Sequence, residues 1–226
     1  MAEQKEEVVL DVQEAYSRTE RYIEENKRSL LIITGAIVAV IAGFFAWKKL
    51  YVEPLETEAQ GQMFMAQQYF EKDSLNKAIN GDGNFKGFKY IVEEYGITKS
   101  ANLAHYYLGI SYLRTGKFNE AIAELKEFET DDEILGPVAT GAIGDSYMEM
   151  DKKEEAAEHY LKAAKMSANK FTAPIYLMKA GMAYEEQNKF DNAIKVYEQV
   201  KLDFPESTEG RDIEKYLARA KAMAGK

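Results

Sequence analysis

YYLGISYLRTGKFNEAIAEL (106–125), GAIGDSYMEMDKKEEAAEHY (141–160) and LMKAGMAYEEQNKFDNAIKVY (177–197) are three versions of one pattern. Aligned on Gly109, Gly144 and Gly181, they bring Tyr112, Tyr147 and Tyr184 into register three residues later, and Ala121, Ala156 and Ala193 twelve residues after each glycine. The steps between the glycines are 35 and 37 residues. A period of this size signals stacked helical hairpins, because one hairpin cannot bury its apolar face alone. The small residues have a physical reason to recur, since where two antiparallel helices cross, only a small side chain lets the backbones approach to about 8 Å. Large residues then fill the gaps between hairpins, and Pro205 in LDFPES ends the last unit where a helix must stop.

A small residue, a tyrosine three later, a turn, an alanine on the second helix, a bulky apolar residue and a closing proline together resemble the tetratricopeptide repeat. A fourth, N-terminal copy is blurred, with Ala66 and Tyr69 of MFMAQQYF standing for the glycine and tyrosine. The resemblance implies an all-α solenoid in which the first helix of each unit lines a concave groove through its second, fifth, ninth and twelfth positions. Carried onto this chain, those positions are Leu103, Tyr106, Ile110 and Leu113, then Val138, Gly141, Asp145 and Met148, then Ile175, Met178, Met182 and Glu185. The apolar members Leu103, Tyr106, Ile110, Leu113, Met148, Ile175, Met178 and Met182 form the candidate client-binding groove. Methionine and tyrosine suit loose binding of varied apolar segments, since thioethers repack and phenols join an apolar face to a polar tip. The set lacks the Lys and Arg clamp by which some such domains hold a terminal carboxylate. The last helix, 209–223, follows Ser207 and Thr208, either a suitable N-cap, and caps the solenoid's exposed end.

Composition agrees with helix. With 46% hydrophobic residues the chain can bury a core, and four prolines and fifteen glycines are too few for a chain rich in hairpin turns. The net charge of -9 argues against a duplex nucleic-acid partner, whose affinity comes mostly from Lys and Arg at phosphates. Cysteine is absent, which removes disulfides, thiolate zinc sites and cysteine nucleophiles.

Residues 29–47, SLLIITGAIVAVIAGFFAW, carry no charge and extend for roughly 28 Å at about 1.5 Å per residue, close to a bilayer's hydrocarbon thickness. A cleaved signal peptide would end in small residues, and Phe44, Phe45, Trp47, Lys48 and Lys49 stand there instead. We therefore expect an uncleaved span over 29–50. Arg18, Arg21, Lys27 and Arg28 precede it against Lys48 and Lys49 after it, which puts residues 1–28 in the cytoplasm and 51–226 across the membrane, the periplasm in a bacterium. In the tail, Val8, Val12, Ala15, Tyr16, Thr19, Tyr22 and Ile23 share one side of a helix. Two readings of that side stand: a partner-binding helix, or a lead-in lying on the lipid headgroups.

One stretch looks like chemistry. In INGDGNFKGF (79–88), Asn80, Asp82 and Asn84 alternate with Gly81 and Gly83. A calcium loop counted from Asn80 would want Gly at its sixth position and Glu at its twelfth, where Phe85 and Ile91 stand; a phosphate cradle would need a GK[ST] ending. From Ala66 to Gly109 is 43 residues, nine more than a 34-residue unit, so we expect the surplus between about Glu71 and Asn84 as an enlarged turn within the first hairpin. His105 and His159 suit packing and surface roles, and no catalytic pair, metal set or cofactor motif emerges. A metal-dependent enzyme built on the GDGN loop is the alternative from another class.

Over nearly the whole chain the arrangement resembles the YfgM-type ancillary subunits of the bacterial Sec translocon. RYIEENKRSL before the span is similar to how those proteins enter theirs, and FEKDSLNKAINGDGNFKGF with YGITKSANLAHYYLG looks like the Bacteroidetes branch. The resemblance implies a single-pass inner-membrane protein beside the SecYEG channel, often with a membrane-anchored prolyl-isomerase-like chaperone, that helps emerging polypeptides. A scaffold that recruits one folded envelope-biogenesis partner is the competing reading.

Overall fold

The computed structural model describes residues 2–167 and 169–225, with side chains described from residue 20 onward. It separates into two compact units, Met1–Pro54 and Leu55–Lys226. The first is built on α1 (Ala2–Trp47), followed by a π-helical turn over Lys48–Val52. Leu31, Ile32, Val38, Val40 and Phe44 all stand exposed along α1, which is costly in water and favourable in hydrocarbon. Among the described residues this is the one helical stretch long and apolar enough to cross a membrane. Of the apolar side expected in the tail, Tyr22 and Ile23 are exposed, while Val8, Val12, Ala15, Tyr16 and Thr19 lie outside the described side chains.

Among the described residues, every regular element of the second unit is a helix. Its elements are α2 (Glu53–Glu71), α3 (Leu75–Asn80), α4 (Phe88–Glu94), α5 (Lys99–Arg114), α6 (Phe118–Glu127), α7 (Leu135–Glu149), α8 (Lys153–Met166), α9 (Ala173–Glu186), α10 (Phe190–Asp203) and α11 (Thr208–Met223). The aligned tyrosines mark where the first helix of each hairpin ends. Tyr69, Tyr112, Tyr147 and Tyr184 each accept, at the carbonyl, the N–H of the residue five further on (Ser74, Lys117, Lys152, Lys189) at 2.8–2.9 Å. Between them the chain passes through a left-handed residue, Asp73, Gly116, Asp151 or Asn188, with φ of 56°, 76°, 59° and 58°. All four hairpins thus share one Schellman-type helix stop, so the blurred N-terminal copy turns as the others do.

The glycines then set the crossing. Gly109 meets Leu125, Gly144 meets Tyr160 and Gly181 meets Tyr197, each partner sixteen residues on. A Cβ at Gly144 would stand 2.7 Å from the Tyr160 ring. In the first hairpin Ala66, fully buried, takes the glycine's place, and Ala59, Met63 and Ala66 pack with Phe88 and Ile91. Thr98 caps α5 by accepting from Ala101 N at 3.0 Å, and Ser207 rather than Thr208 caps α11, accepting from Gly210 N at 2.9 Å.

The surplus overlaps the end of the expected stretch but does not enlarge the turn between the helices. The turn after α2 is regular, and the second helix itself is broken: α3 begins it, residues 81–87 leave it, and α4 resumes it. Gly81 at φ +84° ends α3, and Gly87 closes the excursion so tightly that a Cβ there would stand 2.3 Å from the Ile79 carbonyl oxygen.

Candidate functional site

Helices α5, α7, α9 and α11 lie side by side, so the faces they turn away from α6, α8 and α10 form one continuous surface. Three concavities open along the helices of this row. The first, about 600 Å³, is lined by Leu113, Arg114, Phe118, Asp145, Met148, Glu149, Tyr160 and Lys179. The second, about 580 Å³, lies between α9 and α11 and is lined by Met182, Glu185, Glu186, Asn188, Phe190, Tyr216, Arg219 and Met223. The third, about 300 Å³, shares Met182 and Tyr216 with it and adds Ile175, Met178, Lys179, Thr208, Glu209 and Asp212.

The first concavity has a polar floor. Tyr160, which fills the gap at Gly144, donates its hydroxyl to Asp145 Oδ1 at 2.6 Å, and Lys179 Nζ donates to both Asp145 oxygens at 2.7 and 2.9 Å. Burial, then the Asp145 hydrogen bond, pushes the Tyr160 phenol well above its ordinary range, so it remains a donor at any physiological pH. The Lys179 ammonium also sits 5.6 Å from the Tyr160 ring and 5.9 Å from that of Tyr176. A parallel arrangement holds the second concavity. Tyr197, opposite Gly181, donates to Glu185 at 3.1 Å, and Glu185 accepts from Arg219 Nε at 3.2 Å.

The candidate groove residues divide. Leu113 and Met148 line the first concavity; Ile175, Met178 and Met182 line the third, and Met182 the second as well. Ile175 and Met182 are exposed, whereas Met178 is 6% exposed and belongs to the C-terminal core. Leu103 is half-buried against the core of the first two hairpins, and Tyr106 and Ile110 against the cluster that α6 shares with α7, Tyr106 packing on Phe128 with ring centroids 5.3 Å apart. Gly141 is no groove opening, because the Tyr176 ring covers it. Repeat positions did not point to Phe118, Tyr160, Lys179, Phe190, Tyr216, Arg219 or Met223. One signal could have found the charged pairs: Asp145 to Lys179 and Glu185 to Arg219 are each 34 residues apart, one repeat, with opposite sign.

The GDGN loop is occupied by its own backbone. Asp82 Oδ2 accepts from the Tyr69 hydroxyl at 2.6 Å, while Oδ1 accepts from Asn84 N and Phe85 N at 3.0 and 2.9 Å. The Tyr69 hydrogen bond, followed by that of Phe85, holds the Asp82 carboxyl below its usual range. His105 Nδ1 lies 2.7 Å from Glu124 across the first full hairpin, and His159 rests 5.0 Å from the Tyr147 ring. Among the described residues, the hydrogen-bond partners are Glu124 for His105 and the Glu155 carbonyl for His159, which make no catalytic arrangement. Among the described residues no group of three or more His, Cys, Asp and Glu is placed to hold a metal ion.

Comparison with known proteins gives one consistent result. Two family models described as tetratricopeptide repeat match the chain, one over residues 103–131 and 176–207, the other over 141–170. No curated protein matches. Among solved structures, two of a Podosopora anserina protein described as a kinesin light chain with nearly identical TPR-like repeats superpose with a TM-score of 0.57, at 17% and 16% identity, covering 75% of this chain and 88% of theirs. Identity that low speaks to the fold alone. No enzyme family is indicated. Residues 103–131, 141–170 and 176–207 are tetratricopeptide repeats, and the solenoid they build is a protein–protein interaction module.

Proposed function

We propose that this chain is a single-pass, membrane-anchored ancillary subunit of the Sec translocon, whose repeat domain lies in the periplasm and holds newly translocated polypeptides. The proposal joins two features: an apolar helix fit to span a bilayer, and a concave face whose partly open side chains include Leu113, Met148, Met182 and Tyr216. The second feature carries the reading. Flexible thioethers and phenols on a rigid solenoid accept varied apolar segments without one fixed geometry. The chain's resemblance to YfgM-type proteins supplies the translocon, and with it a membrane-anchored prolyl-isomerase-like neighbour. The basic residues before the span support a cytoplasmic N-terminus and an inner-membrane location.

The scaffold reading draws on the other face of the same site. The Tyr160–Asp145–Lys179 network is a fixed polar floor that suits one defined partner better than many. Copurification in mild detergent, followed by mass spectrometry, separates the two. Recovery of SecYEG subunits supports the translocon reading, and recovery of one envelope-biogenesis complex without them supports the scaffold. Orientation is tested separately by a cysteine at the exposed Lys195: it should react with a membrane-impermeant label in intact cells once the outer membrane is opened.

A further inference from the structure

The two C-terminal concavities share Met182 and Tyr216 and so form one groove between α9 and α11. Its apolar surface comes from Ile175, Met182, Phe190, Tyr216 and Met223, of which Met223 is 62% exposed. Its charge is one-sided. Four carboxylates line it, Glu185, Glu186, Glu209 and Asp212, against two cations, Lys179 and Arg219. Both cations are already engaged, Lys179 by Asp145 and Arg219 by Glu185. Glu186 is held by the half-buried Lys153 at 3.3 Å, whereas Asp212 meets Lys215 at 3.2 Å in an exposed pair that a competing cation exchanges at little cost. The groove therefore presents apolar side chains beside more carboxylates than cations, with the exposed Lys215, paired with Asp212, lying over its Tyr216 ring.

We infer that this end of the solenoid takes a polypeptide segment whose large apolar residues are flanked by lysine or arginine. The inference rests on the concave face being a polypeptide-binding surface and adds which segments it selects. Apolar side chains of the segment cover Met182, Phe190 and Tyr216, while its cations sit at Glu209 and Asp212. Flanking charge of the wrong sign would meet like charge at Glu209 and Asp212.

The test uses the full chain in detergent micelles and three labelled synthetic peptides with one apolar core, flanked by lysine, serine or glutamate. Fluorescence anisotropy should show the lysine peptide binding about tenfold tighter than the glutamate peptide at low ionic strength, with the gap closing as salt is added. Glu209→Gln with Asp212→Asn should narrow that gap and leave the serine peptide unchanged. Met182→Ser should weaken all three; a thermal melt confirms that each variant is folded. Equal affinity for the lysine and glutamate peptides, with Met182→Ser still weakening both, would overturn the charge selection and leave the binding surface standing. Indifference of every peptide to Met182→Ser would overturn both. Loss of peptide binding as the chain self-associates, followed by light scattering, would place a second copy in the groove and overturn the inference as well.

Discussion

The Tyr160 ring lies against the bare backbone of Gly144, so that a Cβ there would stand 2.7 Å from its Cδ1 and Cε1 and 3.3 Å from the Ala156 carbonyl oxygen. Replacing glycine by alanine inside a helix ordinarily stabilises by about 1 kcal/mol. Here the sign should invert. Gly144→Ala is expected to destabilise by about 1–3 kcal/mol, because the ring that must move also carries the hydrogen bond to Asp145. Gly61 in α2 is the control: nothing lies within 4 Å of its added Cβ, and Gly61→Ala should stabilise or leave the melting temperature unchanged. A shift of the same sign for both would show that crossing distance is not what the repeat glycines secure.

The four left-handed helix stops make a second contrast. Gly116→Ala places a Cβ at φ 76° and should cost about 1–2 kcal/mol, whereas Asn188→Gly relieves a side chain at φ 58° and should raise the melting temperature. Denaturant unfolding of the two variants checks the pair, and an unmoved midpoint for Gly116→Ala would count against a shared Schellman stop.

Glu56 holds α2 to the start of α5. Its Oε2 accepts from Lys99 N at 2.7 Å and Ser100 N at 3.3 Å, and its Oε1 accepts the Ser100 hydroxyl at 2.7 Å. Burial pushes its pKa up, but the Ser100 hydrogen bonds and those of Gln60 and Lys99 outweigh it and hold the carboxyl below its ordinary 4.5. A depressed carboxyl contributes stability that is fully present above its unfolded value and is lost as pH falls through the folded one. Glu56→Gln should therefore lower stability at neutral pH by about 1–2 kcal/mol. Below pH 4.5 the variant and the parent chain should converge. Melting curves across that range decide it, and a pH-independent difference would show that the carboxylate charge is not what joins the two helices.

Asp82 bears on metal binding. Both of its oxygens already accept hydrogen bonds, from Tyr69, Asn84 and Phe85, so a divalent cation would have to displace the loop's own anchor. A bound ion at a hundredfold excess over its Kd would stabilise the fold by about 2.7 kcal/mol. Excess calcium or magnesium should leave the melting curve unmoved, while Tyr69→Phe should loosen residues 81–87 to faster amide exchange without unfolding the hairpins. Stabilisation by either ion would make the loop a ligand site after all.

Where the sequence was legible, it was because a local rule repeats. Gly109, Gly144 and Gly181 announce the crossings, and the tyrosine three residues later announces the stop, because the same backbone geometry recurs in every hairpin. The insertion was misplaced although the phase was there to see. Ala78 stands twelve residues after Ala66, as Ala121 stands after Gly109, which puts the start of the second helix before the surplus rather than after it. Gly87 has the look of a second helix's small position, yet it is small for a different reason, the closure onto Ile79. In the groove, repeat positions name the face of a helix but not what a neighbour lays over it. Met178 is buried in the C-terminal core, and Gly141 is covered by Tyr176, a residue about one repeat further on.

A photo-crosslinking amino acid placed in living cells, once at Met182 on the concave face and once at Lys195 on the outer face of α10, tests the polypeptide-binding account most directly. Adducts to secreted polypeptides in transit should form from position 182 and be absent from position 195, and blocking translocation should abolish them. Adducts from both faces alike, or from 195 alone, would contradict the assignment of the working surface to the α9–α11 side of the solenoid.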